Sequence, residues 1–242
     1  MNLIKLSAID STNDYLKSIL TEVNLDDLTV VWAEAQHQGR GQREATWHAK
    51  KDKSLTFSVL KRFKDQENTQ PYHISMAVAL AVLEVLNSYE IPKLTVKWPN
   101  DIMSDNQKLG GILIENQFRN AQLTSAIIGI GLNVGSWDIP APHAASIEDV
   151  TGQLLDMDSL LRKIINAIEQ HLGPAVLKNH RELKERYEAC MFRRDVISQF
   201  ALKSGKEFYG CIKGIGSQGS LVVELAPGLR KEFDIKEITY LL

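Results

Sequence analysis

A chain of 242 residues, 44% hydrophobic and 24% charged, can bury a core without disulfides or a structural metal. Its formal net charge of −2 argues against a chain-wide electrostatic grip on nucleic acid or on a membrane surface. The longest apolar run, Met76 to Leu83, is far short of a bilayer span, and the N-terminus does not read as a signal peptide. Cys190 and Cys211 form neither a metal-ligand spacing nor a disulfide framework, which fits a cytoplasmic protein with reduced thiols.

In chain order, Ser11 stands three residues before Asp14 and ahead of Tyr15, Leu16, Ile19 and Leu20, a pattern that predicts a capped helix. Leu28 to Ala35 is rich in β-branched and aromatic residues and predicts a strand. Residues 36–53 have no hydrophobic period and predict a long loop, usually functional or disordered inside a compact domain. Ser54 to Leu60 alternates and predicts a half-buried strand, and His73 to Tyr89 carries apolar residues at helical spacing. Leu94 to Trp98 is a predicted strand ending at the Pro99-Asn100-Asp101 turn. Gly111 to Glu115 and Ser125 to Val134 predict an antiparallel hairpin with a polar connection over 116–124. Strands without intervening helices point to α+β rather than a doubly wound parallel sheet. Ser159 to His171 and Pro174 to Cys190 are helical by period. After Phe192, four short strands are punctuated by Ser204-Gly205, Gly216 to Gly219 and Pro227-Gly228, as in a small barrel.

Three stretches carry candidate chemistry. The loop 36–53 holds five basic residues (Arg40, Arg43, Lys50, Lys51, Lys53) against Glu44 and Asp52, and Gly39 and Gly41 bracket Arg40. It is either an anion-binding loop that orders on its ligand or a solvated basic surface loop. In the second stretch, Lys97-Trp98-Pro99-Asn100-Asp101 is followed by Lys108-Leu109-Gly110-Gly111, so that Lys108 could sit beside a bound anion. The bland alternative is a hairpin with a surface lysine. The third, Ile128 to Val134, is an apolar strand that ends in Asn133, either a structural strand end or a group reading a base edge. Dinucleotide and P-loop fingerprints are incomplete, the histidines lack a helical zinc spacing, and no nucleophile elbow occurs. If the protein is an enzyme, its chemistry works through positioned cations rather than a protein nucleophile.

Together these residues resemble the biotin–protein ligases. The resemblance rests on Ser11-Thr12-Asn13, Gln36 through Trp47 with its Gly-Arg-Gly core, the Lys97 to Asp101 block with Lys108 to Gly111, and Asn133. The terminal segment from Gly214 resembles that family's SH3-like barrel. The resemblance implies a catalytic domain over 1–191, with a mixed, largely antiparallel sheet like that of class II aminoacyl-tRNA synthetases, and an SH3-like barrel over 192–242. It implies that biotin and ATP, with Mg2+, give biotinyl-5′-adenylate, and that the biotinyl group passes to one lysine of a biotin carboxyl carrier protein. Arg40 and Lys108 would be catalytic. Ser11, Thr12, Asn13, Gln36, Arg40, Gly41, Gln42, Trp47, Lys108, Gly110 and Gly111 would hold biotin. Arg40, Arg43, Lys97, Asn100, Asp101, Lys108 and Asn133 would serve the nucleotide and its phosphates. No metal cluster made by protein side chains is expected, the magnesium arriving with ATP near Asn100. Many relatives carry a second arginine where Gln42 stands and a glycine where Glu44 stands. Only ten residues precede Ser11, so no DNA-binding domain and no repressor function are expected; a homodimer is compatible with the resemblance. The alternatives are a lipoate or octanoate transferase of related architecture and a non-catalytic biotin-binding repressor.

Overall fold

The computed structural model describes residues 2–42, 45–63, 69–120 and 122–241. The larger sheet contains β1 (Asn2–Leu6), β2 (Thr29–Ala33), β3 (Ser54–Arg62), β4 (Leu94–Lys97), β5 (Asp101–Ser104), β6 (Gln107–Arg119) and β7 (Gln122–Asn133). Their order is β1-β2-β3-β7-β6-β5-β4. Strand β1 runs parallel to β2, and the other neighbouring pairs are antiparallel. With α1 (Thr12–Glu22), α2 (Pro71–Asn87), α3 (Ile147–Thr151), α4 (Met157–His171), α5 (Pro174–Lys178) and α6 (His180–Ala189), the class is α+β, as the sequence predicts.

Alternation along the strands gives the sheet two different faces. Leu55, Phe57 and Val59 of β3 and Ile128, Ile130 and Leu132 of β7 point one way, into the main core. There they meet α2, which is apolar on nearly every side because α4 and α6 cover what the sheet does not. On the opposite face Leu60 and Ile127 pack with Val31 against Leu16 of α1. Further along that face the residues shrink and turn polar: Ser58 and Thr56 on β3, Gly129 and Gly131 on β7. Short side chains leave room above the sheet, and this room becomes the floor of the site.

Helix α2 starts at Pro71, where a missing N–H removes no helical hydrogen bond. His73 Nδ1 accepts the Gln70 N–H at 3.1 Å, and its ring stacks on His180 of α6 with centroids 3.8 Å apart. An accepting Nδ1 requires a neutral ring. Burial, reinforced by the facing His180, pushes the His73 pKa down from 6.5 to about 4. The unfolded chain therefore binds more protons than the folded one between those two values, and stability rises with pH across that window. Urea unfolding should show this site losing about 2 kcal/mol of stability from pH 7 to pH 4. His73→Gln, which keeps an acceptor, should flatten that part of the profile; an unchanged slope would refute the assignment.

Several elements differ from the sequence expectation. The region 174–190 is two helices, because Asn179 leaves the helical conformation and its side chain caps α6, accepting the Glu182 N–H at 3.3 Å. The hairpin strands run on to Arg119 and from Gln122, so the connection is far shorter than 116–124. Its polar residues are the outer ends of strands. Strands β1 and β5 and helix α3 are too short for periodicity to announce. Helix α3 is held by Ser146, whose Oγ accepts the Asp149 N–H at 3.0 Å.

The second sheet, β8 (Ile197–Leu202), β9 (Glu207–Ile215), β10 (Leu221–Ala226), β11 (Leu229–Phe233) and β12 (Ile238–Leu241), is antiparallel throughout, in the order β11-β10-β9-β8-β12. Its turns use Gly219 and Gly228 at φ 82° and 77°, where a side chain would be strained. Strand β12 went unrecognised in the sequence. This sheet is fixed to the first by the Trp98 Nε1–H, which donates to Gly219 O at 3.0 Å, and by the Tyr72 hydroxyl, which donates to Ser217 O at 2.8 Å. The Ile215 N–H also donates to Glu188 Oε1 at 2.8 Å. No helix among the described residues is long and apolar enough to cross a membrane.

Candidate functional site

A cavity of about 410 Å³ lies over the polar face of the larger sheet. The start of α1 forms one end. Ser11 caps the helix, its Oγ accepting the Asp14 N–H at 3.3 Å, and the Thr12 N–H donates to Gln36 Oε1 at 2.7 Å. Ser58 Oγ lies 2.7 Å from Thr12 Oγ1 and 2.6 Å from Asn13 Oδ1, while Asn13 Nδ2 donates to Glu115 Oε2 at 2.9 Å. Ser11, Thr12 and Asn13 are buried. This end is densely hydrogen-bonded, each group held by another, with Glu115 as the carboxylate beneath Asn13.

The loop after β2 forms the lid of the cavity. The Trp47 N–H donates to Gly39 O at 2.8 Å and the Gly41 N–H to Ala45 O at 2.6 Å, so residues 39–41 lie against residues 45–47. The Trp47 ring then lies on Gly131: a Cβ there would come within 2.3 Å of the ring. Its Nε1–H donates to Thr56 Oγ1 at 3.4 Å. Gly129 has the same relation to Asn13, whose Oδ1 would be 2.4 Å from an added Cβ.

The other end carries the charge. Lys108 Nζ sits 2.6 Å from Asp101 Oδ1, whereas Arg40 reaches back to the α1 end, bridging Asp14 and Glu115, the latter at 3.2 Å. Burial pushes the Lys97 ammonium below the ordinary lysine value. Asp101 opposes this, and the neighbouring Lys108 and Arg193 reinforce it. Lys97 also stands over the Tyr240 ring, 5.2 Å from its centroid. Burial first, then the charge of Asp101, raises the Tyr240 hydroxyl, which stays neutral. Every cation here is held by a carboxylate or a ring that an incoming anion can replace. The arrangement suits bringing together two reactants that are both negative. Cys190 is no rival as a nucleophile: burial pushes its thiol up to about 11, and it donates to Tyr187 O at 3.1 Å.

Of the residues singled out from the sequence, Ser11, Thr12, Asn13, Gln36, Arg40, Gly41, Gln42, Trp47, Lys97, Asn100, Asp101, Lys108 and Gly111 all line this cavity. Gly110 does not; a Cβ there would meet Leu132 and the Gly131 carbonyl, so its smallness serves the β6–β7 contact. Asn133 lies in an adjoining cavity of about 60 Å³ that shares Trp47 and Lys108 with the first. Its Nδ2 donates to Ala145 O at 3.3 Å and its buried Oδ1 has no partner, so it ends the strand and keeps an open acceptor. Asn100 turns its Nδ2 onto Ile112 O at 2.6 Å. Arg43 lies outside the described residues. The sequence reading missed Gly129, Gly131 and Glu115, although the two glycines, two apart on a strand, necessarily share a face. It also missed the wall formed by Ile235, Ile238, Thr239 and Tyr240, for which no local signal exists. Among the described residues, no group of three or more His, Cys, Asp or Glu is arranged to hold a metal ion. Asp101 and the Asn100 side-chain carbonyl are hard oxygen donors at the charged end, which fits magnesium carried in by phosphates.

Residues 6–133 match the Biotin/lipoate A/B protein ligase family. The chain is 26% identical over 235 residues to the Bifunctional ligase/repressor BirA of Bacillus spizizenii, covering 95% of this chain and 71% of that protein. It is 27% identical to the Biotin--[acetyl-CoA-carboxylase] ligase of Mycobacterium tuberculosis, covering 89% of this chain and 80% of that one. Among solved structures, the biotin protein ligase from Aquifex aeolicus in complex with biotin and ATP superimposes with a TM-score of 0.78 at 27% identity. The match covers 99% of this chain and 98% of that one.

Proposed function

The chain belongs to the Biotin/lipoate A/B protein ligase family, and from that premise we propose that it is the ATP-dependent ligase that attaches biotin to a lysine of a biotin carboxyl carrier protein. The observation that carries the reading is a single cavity with a hydrogen-bonded end at the start of α1, an end bearing Lys97, Asp101 and Lys108, and Arg40 in its lining as well. The biotin ring occupies the end formed by Ser11, Thr12, Asn13 and Gln36, under Trp47. Its carboxylate lies toward Arg40 and Lys108, where it attacks the α-phosphate of ATP, giving biotinyl-5′-adenylate and pyrophosphate. Lys108 turns from Asp101 to the phosphate oxygens, Lys97 screens the leaving pyrophosphate, and Arg43 adds charge from the loop. The open acceptor of Asn133 takes the adenine amino group. Asp101 and Asn100 would hold magnesium arriving with the phosphates, and the ion would supply further charge screening. The loop 36–53 keeps water from the mixed anhydride until the carrier's amine takes the biotinyl group.

The residues from 1 to 191 form the catalytic unit in this reading, and 192–242 a barrel that closes its charged end. The net charge of −2 supports work without DNA, and the family's soluble chemistry supports a cytoplasmic setting, with pairing into a homodimer compatible with it. The test is isotope exchange of pyrophosphate into ATP. Exchange that depends on biotin, followed by transfer to a carrier domain, is expected. Exchange with lipoate and none with biotin would overturn the assignment in favour of the lipoate branch.

A further inference from the structure

Strand β6 pairs with β5 only as far as Gly111, so beyond that point its edge on this side has no strand neighbour. Along this free edge, between the start of α2 and the second sheet, lies another cavity of about 370 Å³. A small space of about 30 Å³ shares lining residues with this cavity and with the main one. Gln42 and Pro99 line all three spaces, which therefore adjoin one another.

The two large cavities differ in charge. The main one is lined by Arg40, Lys97 and Lys108. Among the described residues, the outer one has no lysine or arginine in its lining, and its one charged side chain is Asp234. Its walls are apolar at Met76, Trp98, Ile114 and Ile235. Asn116 lines it and has a buried Oδ1 without a hydrogen-bond partner. An apolar tube with an acidic residue and an open acceptor suits a primary alkylammonium, a long methylene stem ending in a hydrogen-bond donor. The cations of the main cavity would repel the same group.

We propose that this outer cavity is the entry channel for the acceptor lysine of the carrier, a reading that rests on the ligase function above. The ammonium is drawn past Asp234 and gives up a proton to water in the channel. The amine then attacks the carbonyl carbon of biotinyl-5′-adenylate. A C–N bond forms, the C–O bond to phosphate breaks, AMP leaves with the electron pair, and the second proton is lost to solvent. The anionic nucleotide and the cationic amine thus reach one carbon by separate routes.

The test separates the two half-reactions. Ser75→Phe fills the channel from α2, and Asn116→Leu removes its open acceptor. Each should leave biotin-dependent pyrophosphate exchange unchanged while slowing single-turnover transfer from preformed adenylate to a carrier domain by about tenfold to a hundredfold. Hydroxylamine, small enough to arrive by any route, should still be acylated at the normal rate. Normal carrier transfer in both variants would overturn the channel, as would equal loss of exchange and transfer. Should Ser75→Phe fail to fold, Asn116→Leu decides alone. No exchange in the unaltered protein would overturn the ligase reading instead.

Discussion

Lys108→Ala should lower biotin-dependent pyrophosphate exchange by about 10²–10³-fold, the usual cost of deleting one oriented donor to a developing charge. The lysine's amine is poised by Asp101 at 2.6 Å, beside the glycine-lined start of β6. Removing it takes away the donor and the cation paired with the Asp101 carboxylate, leaving Lys97 as its remaining cationic neighbour. Lys108→Arg should not rescue fully, because a planar fork does not replace a point charge at the same distance. The side chain is about one-third exposed (35%), so unfolding temperature should hardly move. Exchange near the unaltered rate in Lys108→Ala would remove this residue from the chemistry.

A methyl group at position 131 should be almost as damaging at the opposite end of the chamber. Gly131→Ala places a carbon within 2.3–2.8 Å of three Trp47 ring atoms, well inside contact distance. Neither partner can yield: position 131 is in the middle of the β3–β7 ladder, and the ring is rigid. Trp47 must swing off the sheet, taking with it the loop that its N–H fastens to Gly39. Biotin affinity, measured by calorimetry without ATP, should fall by about 10²-fold, equivalent to about 2.7 kcal/mol. Biotin affinity equal to that of the unaltered protein would show that Trp47 is not part of the biotin pocket.

The parts of the fold that alternation or helical period governs were legible in the sequence: β3, β7, α2 and α4 stand where their patterns place them. What was lost depended on single side chains or on distant partners. Asn179 breaks a helix that is periodic on both sides of it, because one asparagine can cap as readily as continue. Glu115 reads as an ordinary strand residue until folding brings Arg40 and Asn13 to it. Tyr240 lies more than a hundred residues from Asp101 and Lys97, and nothing local marks their meeting. The candidate residues close to one another in sequence were legible as a set, since the local turn already confines them. The far wall, supplied by the last strand, was not.

That far wall has an evolutionary corollary. One end of the chamber is furnished by residues between Ser11 and Ser58 with two glycines of β7, the other in part by Ile235, Ile238, Thr239 and Tyr240. Drift in the terminal segment can therefore reshape the phosphate end while the vitamin end is inherited intact. A graft of the final strand from a relative would exchange one substrate's surroundings and spare the other's.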